Sequence, residues 1–324
     1  MSLEVGRPTS KGAVQVRPML ADDLGAADRV MRLAFGTIRG LPDPEVTFGD
    51  RDLVRTRFQA APGCAWVAEV DSDVVGSVFA ARWGSFGFFG PLTVHPRFWD
   101  HGIGSRLLRP VLEAFERWDV RQAGLFTFAA SSKHLGLYQK HGFWPGHLTV
   151  VTAKTTDLQA RSPYTVASRE MDGAHGVVLD EIRSLTDRVF NGLDLGQEIV
   201  SVNAQRIGDT VLVRRERTLE GMAVCHCGAG SEAGSDICYV KFAAVRPGEG
   251  ASGRFEQLLD ACEAFAAESG AGRLEVGVNT GRLDAYRHIL DRGFRIEQIG
   301  VSMLLRPHDS HFDTRAHHVL ADLR

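Results

Sequence analysis

The run Arg97-Phe98-Trp99-Asp100-His101-Gly102-Ile103-Gly104-Ser105 holds the residue types best suited to chemistry. It follows an apolar stretch ending in Val94-His95-Pro96 and precedes a helical pattern. A strand that ends in a glycine loop and feeds a helix leaves the first amides of that helix unpaired. Those amides and the helix dipole favour phosphate oxygens. Gly102 and Gly104 permit close approach of a pyrophosphate, although the same Gly-x-Gly also serves as a tight turn. Cys225-His226-Cys227 has ligand-type residues, but on a strand the two cysteines face one way and the histidine the other. The second ligand pair that zinc needs is not evident, so no metal site is expected.

These residues need elements to position them, and the sequence repeats those elements at an offset of 151. Val94-His95-Pro96 corresponds to Val245-Arg246-Pro247, Gly102 to Gly253, Leu107-Leu108 to Leu258-Leu259, and Gly142-Phe143 to Gly293-Phe294. The unit reads strand, loop, helix, strand, helix, strand. In the first copy, Ala65–Asp71 and Val74–Arg82 form a hairpin through Asp71-Ser72-Asp73, and Phe86–Val94 is a third strand. Ile103, Leu107, Leu108, Val111, Phe115 and Trp118 stripe one helix. Ala123–Phe128 is a buried strand, and Lys133–His141 is a helix stopped by Gly142. In the second copy Ile237–Val245 precedes the loop, Phe255, Leu258, Leu259, Cys262 and Phe265 stripe the helix, and Phe294–Leu305 completes the unit.

The expected organisation is a flexible leader (1–13), an N-terminal domain (14–155), a linker (156–164), a C-terminal domain (165–306) and a polar tail (307–324). The tail is expected to end in a short helix from Thr314. At 324 residues, with 44% hydrophobic and 24% charged residues, each half can bury a core. A net charge of −3 gives no reason to expect nucleic acid. No apolar run reaches the roughly 18 residues of a membrane helix, and the first residues lack a signal peptide's apolar stretch. Five scattered cysteines are not a disulfide framework. A cytoplasmic monomer or homodimer without membrane attachment is expected.

Val94-His95-Pro96, Gly102-Ile103-Gly104-Ser105-Arg106-Leu107-Leu108 and Leu137-Tyr138-Gln139-Lys140-His141-Gly142-Phe143 together resemble the core of the GNAT acetyltransferase superfamily. The resemblance implies an α/β (α+β) architecture of two tandem GNAT-like domains. Each would be a mixed, mostly antiparallel twisted sheet flanked by helices, with a central V-shaped strand splay. It also implies acetyl-CoA or another acyl-CoA as co-substrate and a small-molecule amine as acceptor, by direct attack on the thioester. A non-catalytic acyl-CoA-binding or regulatory module is the alternative. A structural tandem domain is a third reading.

Carried over residue by residue, the resemblance implies that Leu92 and Val94 pair with the pantetheine arm through their backbone. His101, Gly102, Ile103, Gly104 and Ser105 would hold the pyrophosphate end, and Trp99 would cover the adenine or the pantetheine. Ser131 occupies a position where the family often has asparagine. Tyr138 matches the tyrosine that protonates the departing sulfur; a phenol with a reference pKa of about 10 stays protonated at neutral pH. Glu69 is the implied general base, with His95 and His134 as alternatives. Trp99 stands where the family usually has Arg or Gln, and Asp100 adds a negative charge beside it. In the second copy Phe255 replaces Gly104 and Ile289 replaces Tyr138, so the chemistry is assigned to the first. No motif in Phe35–Phe58 identifies the acceptor. The aromatic run Trp83–Gly90 reads as a buried strand or as an acceptor wall.

Overall fold

The computed structural model describes residues 13–171 and 175–324. All but one residue of the expected leader lies outside them. The N-terminal half runs β1 (Gln15–Pro18), α1 (Leu24–Ile38), α2 (Leu53–Ala60), β2 (Ala65–Val70), β3 (Asp73–Trp83), β4 (Phe86–Val94), α3 (Ile103–Arg117), β5 (Gln122–Phe128), α4 (Ser132–Lys140) and β6 (Phe143–Thr155). The C-terminal half runs β7 (Thr165–Val166), α5 (Ala167–Glu170), α6 (His175–Val189), α7 (Gly196–Gln205), β8 (Gly208–Arg215), β9 (Thr218–Gly228), β10 (Gly234–Val245), α8 (Ala251–Glu268), β11 (Arg273–Asn279), α9 (Leu283–Asp291), β12 (Arg295–Leu305) and β13 (Val319–Leu320). The α/β class expected from the sequence is the one observed. Among the described residues no helix is long and apolar enough to cross a membrane.

One sheet carries both halves, in the order β1-β2-β3-β4-β5-β12-β6-β11-β10-β9-β8-β7, with β13 on β10. Its ladders are antiparallel except β4 with β5 and β10 with β11. The repeat does not foretell how the halves join. The last strand of each copy lies in the sheet of the other: β12 pairs with β5, and β6 pairs with β11. The registers obey the repeat. Ala123 faces Leu305 and Leu274 faces Lys154, and each pair becomes the other on shifting its members by 151. The exchanged strands also pair with each other, making β6–β12 the seam of the molecule.

Apolar periodicity explains where the cores lie. Leu107, Leu108, Val111 and Phe115 of α3 pack on β2–β5 in the N-terminal core. Phe255, Leu258, Leu259 and Cys262 of α8 do the same in the C-terminal core. Burying each such side chain contributes about 1.5–3 kcal/mol. A third core joins the halves, with Trp83, Phe86 and Phe88 from β3 and β4 against Phe190, Phe242 and Phe312. Ring centroids there lie 5.0 Å apart for Phe86–Phe312 and 5.4 Å for Trp83–Phe242. The aromatic run Trp83–Gly90 is therefore mainly buried strand.

The tail departs from expectation. In place of a polar helix, the tail from Val319 to Leu323 is buried, and Val319–Leu320 adds a strand to β10.

Candidate active site

In the N-terminal half, β4 and β5 pair only over Phe86–Phe88 with Gln122–Gly124 and then diverge. Beyond that point one edge of β4 has no strand partner among the described residues, and Leu92, Thr93 and Val94 border a cavity of about 1230 Å³. Gly102, Ile103, Gly104 and Ser105 line the same cavity at the start of α3. Gly102 takes a left-handed conformation (φ 73°) and caps α3 without any side-chain bond, so the first-turn amides stay free for a ligand. A Cβ on Gly104 would lie 3.2 Å from Leu137 Cδ2 and 3.7 Å from Leu92 Cδ2, so bulk here crowds the wall of the cleft.

Tyr138 lines the cavity from α4, packed edge-on against Phe89 with centroids 5.7 Å apart. Burial pushes its phenol above the ordinary value, so it is protonated at any working pH. Ser131 also lines the cavity, and its Oγ caps α4 by accepting from the His134 amide at 3.3 Å. Trp99 donates its indole N–H to the Val94 carbonyl at 2.6 Å, fixing the loop against the end of β4. Asp100 is paired with Lys133 at 2.8 Å, and the Lys133 ammonium lies 5.3 Å from the Trp99 ring. The carboxylate that stood out as repulsive is thus neutralised. Lys133 and Lys140, read from the sequence only as helix positions, are the cations that border the cleft at this end.

Two expected site residues are placed elsewhere. His101 is outside the cavity lining, with Nδ1 on the Trp99 carbonyl at 2.7 Å. Glu69 is also outside it. β1 pairs along β2 and brings Arg17 onto Glu69, so that carboxylate serves an ion pair at the sheet edge and does not face the cleft. His95 accepts from the Arg97 amide at 3.2 Å and does not line the cavity either. Of the candidate bases only His134 does. Its Nδ1 is buried with no hydrogen-bond partner among the described residues. Burial, then the Lys133 charge, lower its pKa and keep the ring neutral.

The far end of the cavity is built by both halves, from Arg39, Arg51, Arg57, Glu232, Tyr239, Glu275 and Arg324. Arg57 meets Glu232 at 2.8 Å, and Lys241 reaches the same carboxylate at 2.9 Å. Glu275 takes Arg324 at 2.6 Å and Arg51 at 3.2 Å. Burial alone would raise both carboxyl pKa values. The Arg57 and Lys241 charges at Glu232, and the Arg324 and Arg51 charges at Glu275, outweigh it and hold both groups ionised. Arg39, Arg51 and Arg57 lie inside the stretch Phe35–Phe58, where their shared charge was a usable signal. Glu232 and Glu275 were hidden because they belong to the second copy and reach this cavity only through the packing of the two halves.

The equivalent place in the C-terminal half is filled. β10 and β11 pair over Ile237–Val240 with Arg273–Val276 and then part. In the gap β13 pairs with β10, Leu320 opposite Ala243 and Val319 opposite Ala244. Ala243 and Val245 are the repeat equivalents of Leu92 and Val94, so the chain's own tail lies where the first copy has an open strand edge. Arg282, at the repeat position of Ser131, is 1% exposed and donates to the Val319 and Ala321 carbonyls at 3.0 and 3.1 Å. The glycine loop is also shortened. Gly250 (φ 75°) caps α8, so the helix begins three residues earlier than the repeat predicts and Gly253 lies within it. Cys225 and Cys227 pack toward the C-terminal core, whereas His226 turns to Glu198 and Tyr239, the alternation expected of a strand.

Residues 36–143 match the model of the Acetyltransferase (GNAT) family. No curated protein sequence matches the chain. Among solved structures, a candidate acetyltransferase from Pyrococcus horikoshii is similar with a TM-score of 0.68 and 16% identity, over 95% of this chain and 94% of that one. A GCN5-related N-acetyltransferase from Sphaerobacter thermophilus has a TM-score of 0.59 and 17% identity, over 93% and 98%. One from Anabaena variabilis has a TM-score of 0.51 and 13% identity, over 90% and 72%. Residues 36–143 are thus similar to the acetyltransferase (GNAT) family, in a chain that has the fold of these GNAT structures over nearly its whole length.

Proposed function

We propose that the protein transfers an acyl group, acetyl in the first instance, from an acyl-CoA to the amine of a small molecule in the N-terminal cavity. The observation that carries this reading is the asymmetry of the two copies. One keeps an open strand edge, the start of its first long helix and a phenol on a single cavity. The other has its tail in the notch. The C-terminal half then acts as a wall of the acceptor end.

In this reading Leu92 and Val94 present backbone groups to the pantetheine arm, and the amides of Ile103, Gly104 and Ser105 receive the pyrophosphate. A neutral amine attacks the thioester carbonyl carbon; the C–N bond forms as the C–S bond breaks. The β4 backbone near Val94 polarises the carbonyl oxygen. The net proton movement is from nitrogen to sulfur, with no metal or redox partner in the balance. His134, neutral and on the cavity wall, takes or relays the amine proton in this reading. Tyr138 donates a hydrogen bond into the developing thiolate.

Calorimetry with acetyl-CoA, followed by thiol release with a panel of small amines, tests the reading. One equivalent of acetyl-CoA is expected to bind, and Gly104→Val is expected to weaken it about tenfold or more by crowding Leu92 and Leu137. Failure of wild type to bind would remove both the enzyme and the binding-module readings. Binding without turnover of any amine would favour the non-catalytic module.

A further inference from the structure

The acceptor end of the cavity has an excess of positive charge that resolves to one residue. Arg57 and Lys241 are countered by Glu232 and Glu198, and Arg51 and Arg324 by Glu275 and Asp322. Arg39, at the C-terminal end of α1, has no carboxylate partner among the described residues. Its guanidinium rests over the Phe48 ring, 5.2 Å from the centroid. Arg39, Arg51 and Arg324 line the same cavity, and Arg39 is the exposed one of the three. Of the carboxylates that line the cavity, Glu232 and Glu275 are each bonded to two cations, Glu297 is paired with Arg273 and Asp100 with Lys133. Each is thus already matched by protein cations, and Arg39 is the cation left over at this end.

Resting on the acetyl-transfer reading above, we infer that the acceptor is an amine carrying a carboxylate or phosphate, and that Arg39 binds this anionic group. A guanidinium with free donors, held by an aromatic face, suits either oxyanion. The same positive field excludes polycationic acceptors. It also favours the neutral form of a substrate amine, which is the nucleophilic one. Part of the work assigned to a general base is thereby done by the site's charge.

The test uses thiol release and calorimetry on the full chain with matched probes: β-alanine, 2-aminoethyl phosphate, ethanolamine and 1,3-diaminopropane. The expected result is a kcat/KM for one anionic probe at least tenfold above ethanolamine, with the diamine lowest. β-Alanine against 2-aminoethyl phosphate tells carboxylate from phosphate. In Arg39→Gln the preference for the anionic probe over ethanolamine is expected to collapse toward one, with acetyl-CoA affinity kept within twofold. A wild-type preference for ethanolamine or the diamine would overturn the inference, as would an unaltered preference in Arg39→Gln. The probes are also titrated into the CoA-loaded protein. If no probe is acetylated but an anionic one binds, and Arg39→Gln abolishes that binding, the anion site stands and the catalytic reading fails. If no anionic probe binds or reacts, the anion site itself is wrong.

Discussion

Replacing Tyr138 with phenylalanine is expected to lower kcat about 10²-fold or more while leaving acetyl-CoA affinity within about twofold. The two outcomes separate because the ring and the hydroxyl do different things. The ring packs against Phe89 and belongs to the N-terminal core, and phenylalanine keeps that packing. Tyr138 borders the cavity and its hydroxyl has no hydrogen-bond partner among the described residues, so its removal leaves no protein group orphaned. Burial has pushed the phenol above its ordinary value. Complete proton transfer to a thiolate, whose reference value is about 8.5, therefore runs uphill. The contribution of Tyr138 is a donated hydrogen bond that strengthens as charge builds on sulfur, and such an interaction appears in kcat rather than in ground-state affinity. The same shift fixes the pH profile. Tyr138 stays protonated through the working range, so kcat/KM rises with deprotonation of the amine and shows no descending limb near 10. Unchanged turnover in Tyr138→Phe would mean that sulfur receives its proton by another route, with His134 the nearest candidate, its ring 6.4 Å from that of Tyr138.

The parts of the site read from sequence are those whose partners are local. Gly102 to Ser105 form a helix start within a few residues, and Tyr138 sits at fixed spacing before Gly142; neither needs knowledge of the rest of the chain. Trp99 and Asp100 stood out as departures because their answers, the Val94 carbonyl and Lys133, are matters of side-chain direction. Glu69 was misplaced for a related reason. The short strand Gln15–Pro18 carries little apolar pattern, so nothing announced that Arg17 would cover the carboxylate.

The exchange of last strands was illegible for a stricter reason. Because β6 and β12 are repeat equivalents, pairing each with its own copy or with the other satisfies the same apolar pattern and the same register. What separates the arrangements is long-range packing, such as Arg57 with Glu232 and Phe86 with Phe312. Those contacts join residues with no shared motif. The acceptor end depends on them entirely, since its two carboxylates come from β10's approach and from β11.

Arg282→Ala is expected to reduce unfolding free energy by about 3–5 kcal/mol, the range for removing one partner of a buried ion pair. Arg282 is nearly inaccessible and Asp313 almost so, and the pair is joined at 2.8 Å through Nε and 2.5 Å through Nη2. Alanine leaves Asp313 buried without its partner, and also frees the Val319 and Ala321 carbonyls. A control separates these costs. Arg282→Met combined with Asp313→Leu removes both charges at similar volume and is expected to recover much of the loss. It cannot restore the carbonyl anchors, so hydrogen exchange at Leu320 and its β10 neighbours is expected to stay faster than in wild type. Loosening this strand has a second consequence, because the same tail carries Leu323 and Arg324 to the cavity wall. Acceptor KM is therefore expected to rise in both variants while acetyl-CoA affinity holds. Acetyl-CoA should still bind at one equivalent: with the tail loosened, Phe255 and the early start of α8 continue to obstruct the second notch. A loss under about 1 kcal/mol in Arg282→Ala would show that the tail is held by other contacts. A second equivalent of acetyl-CoA would show that the tail alone closes the C-terminal copy.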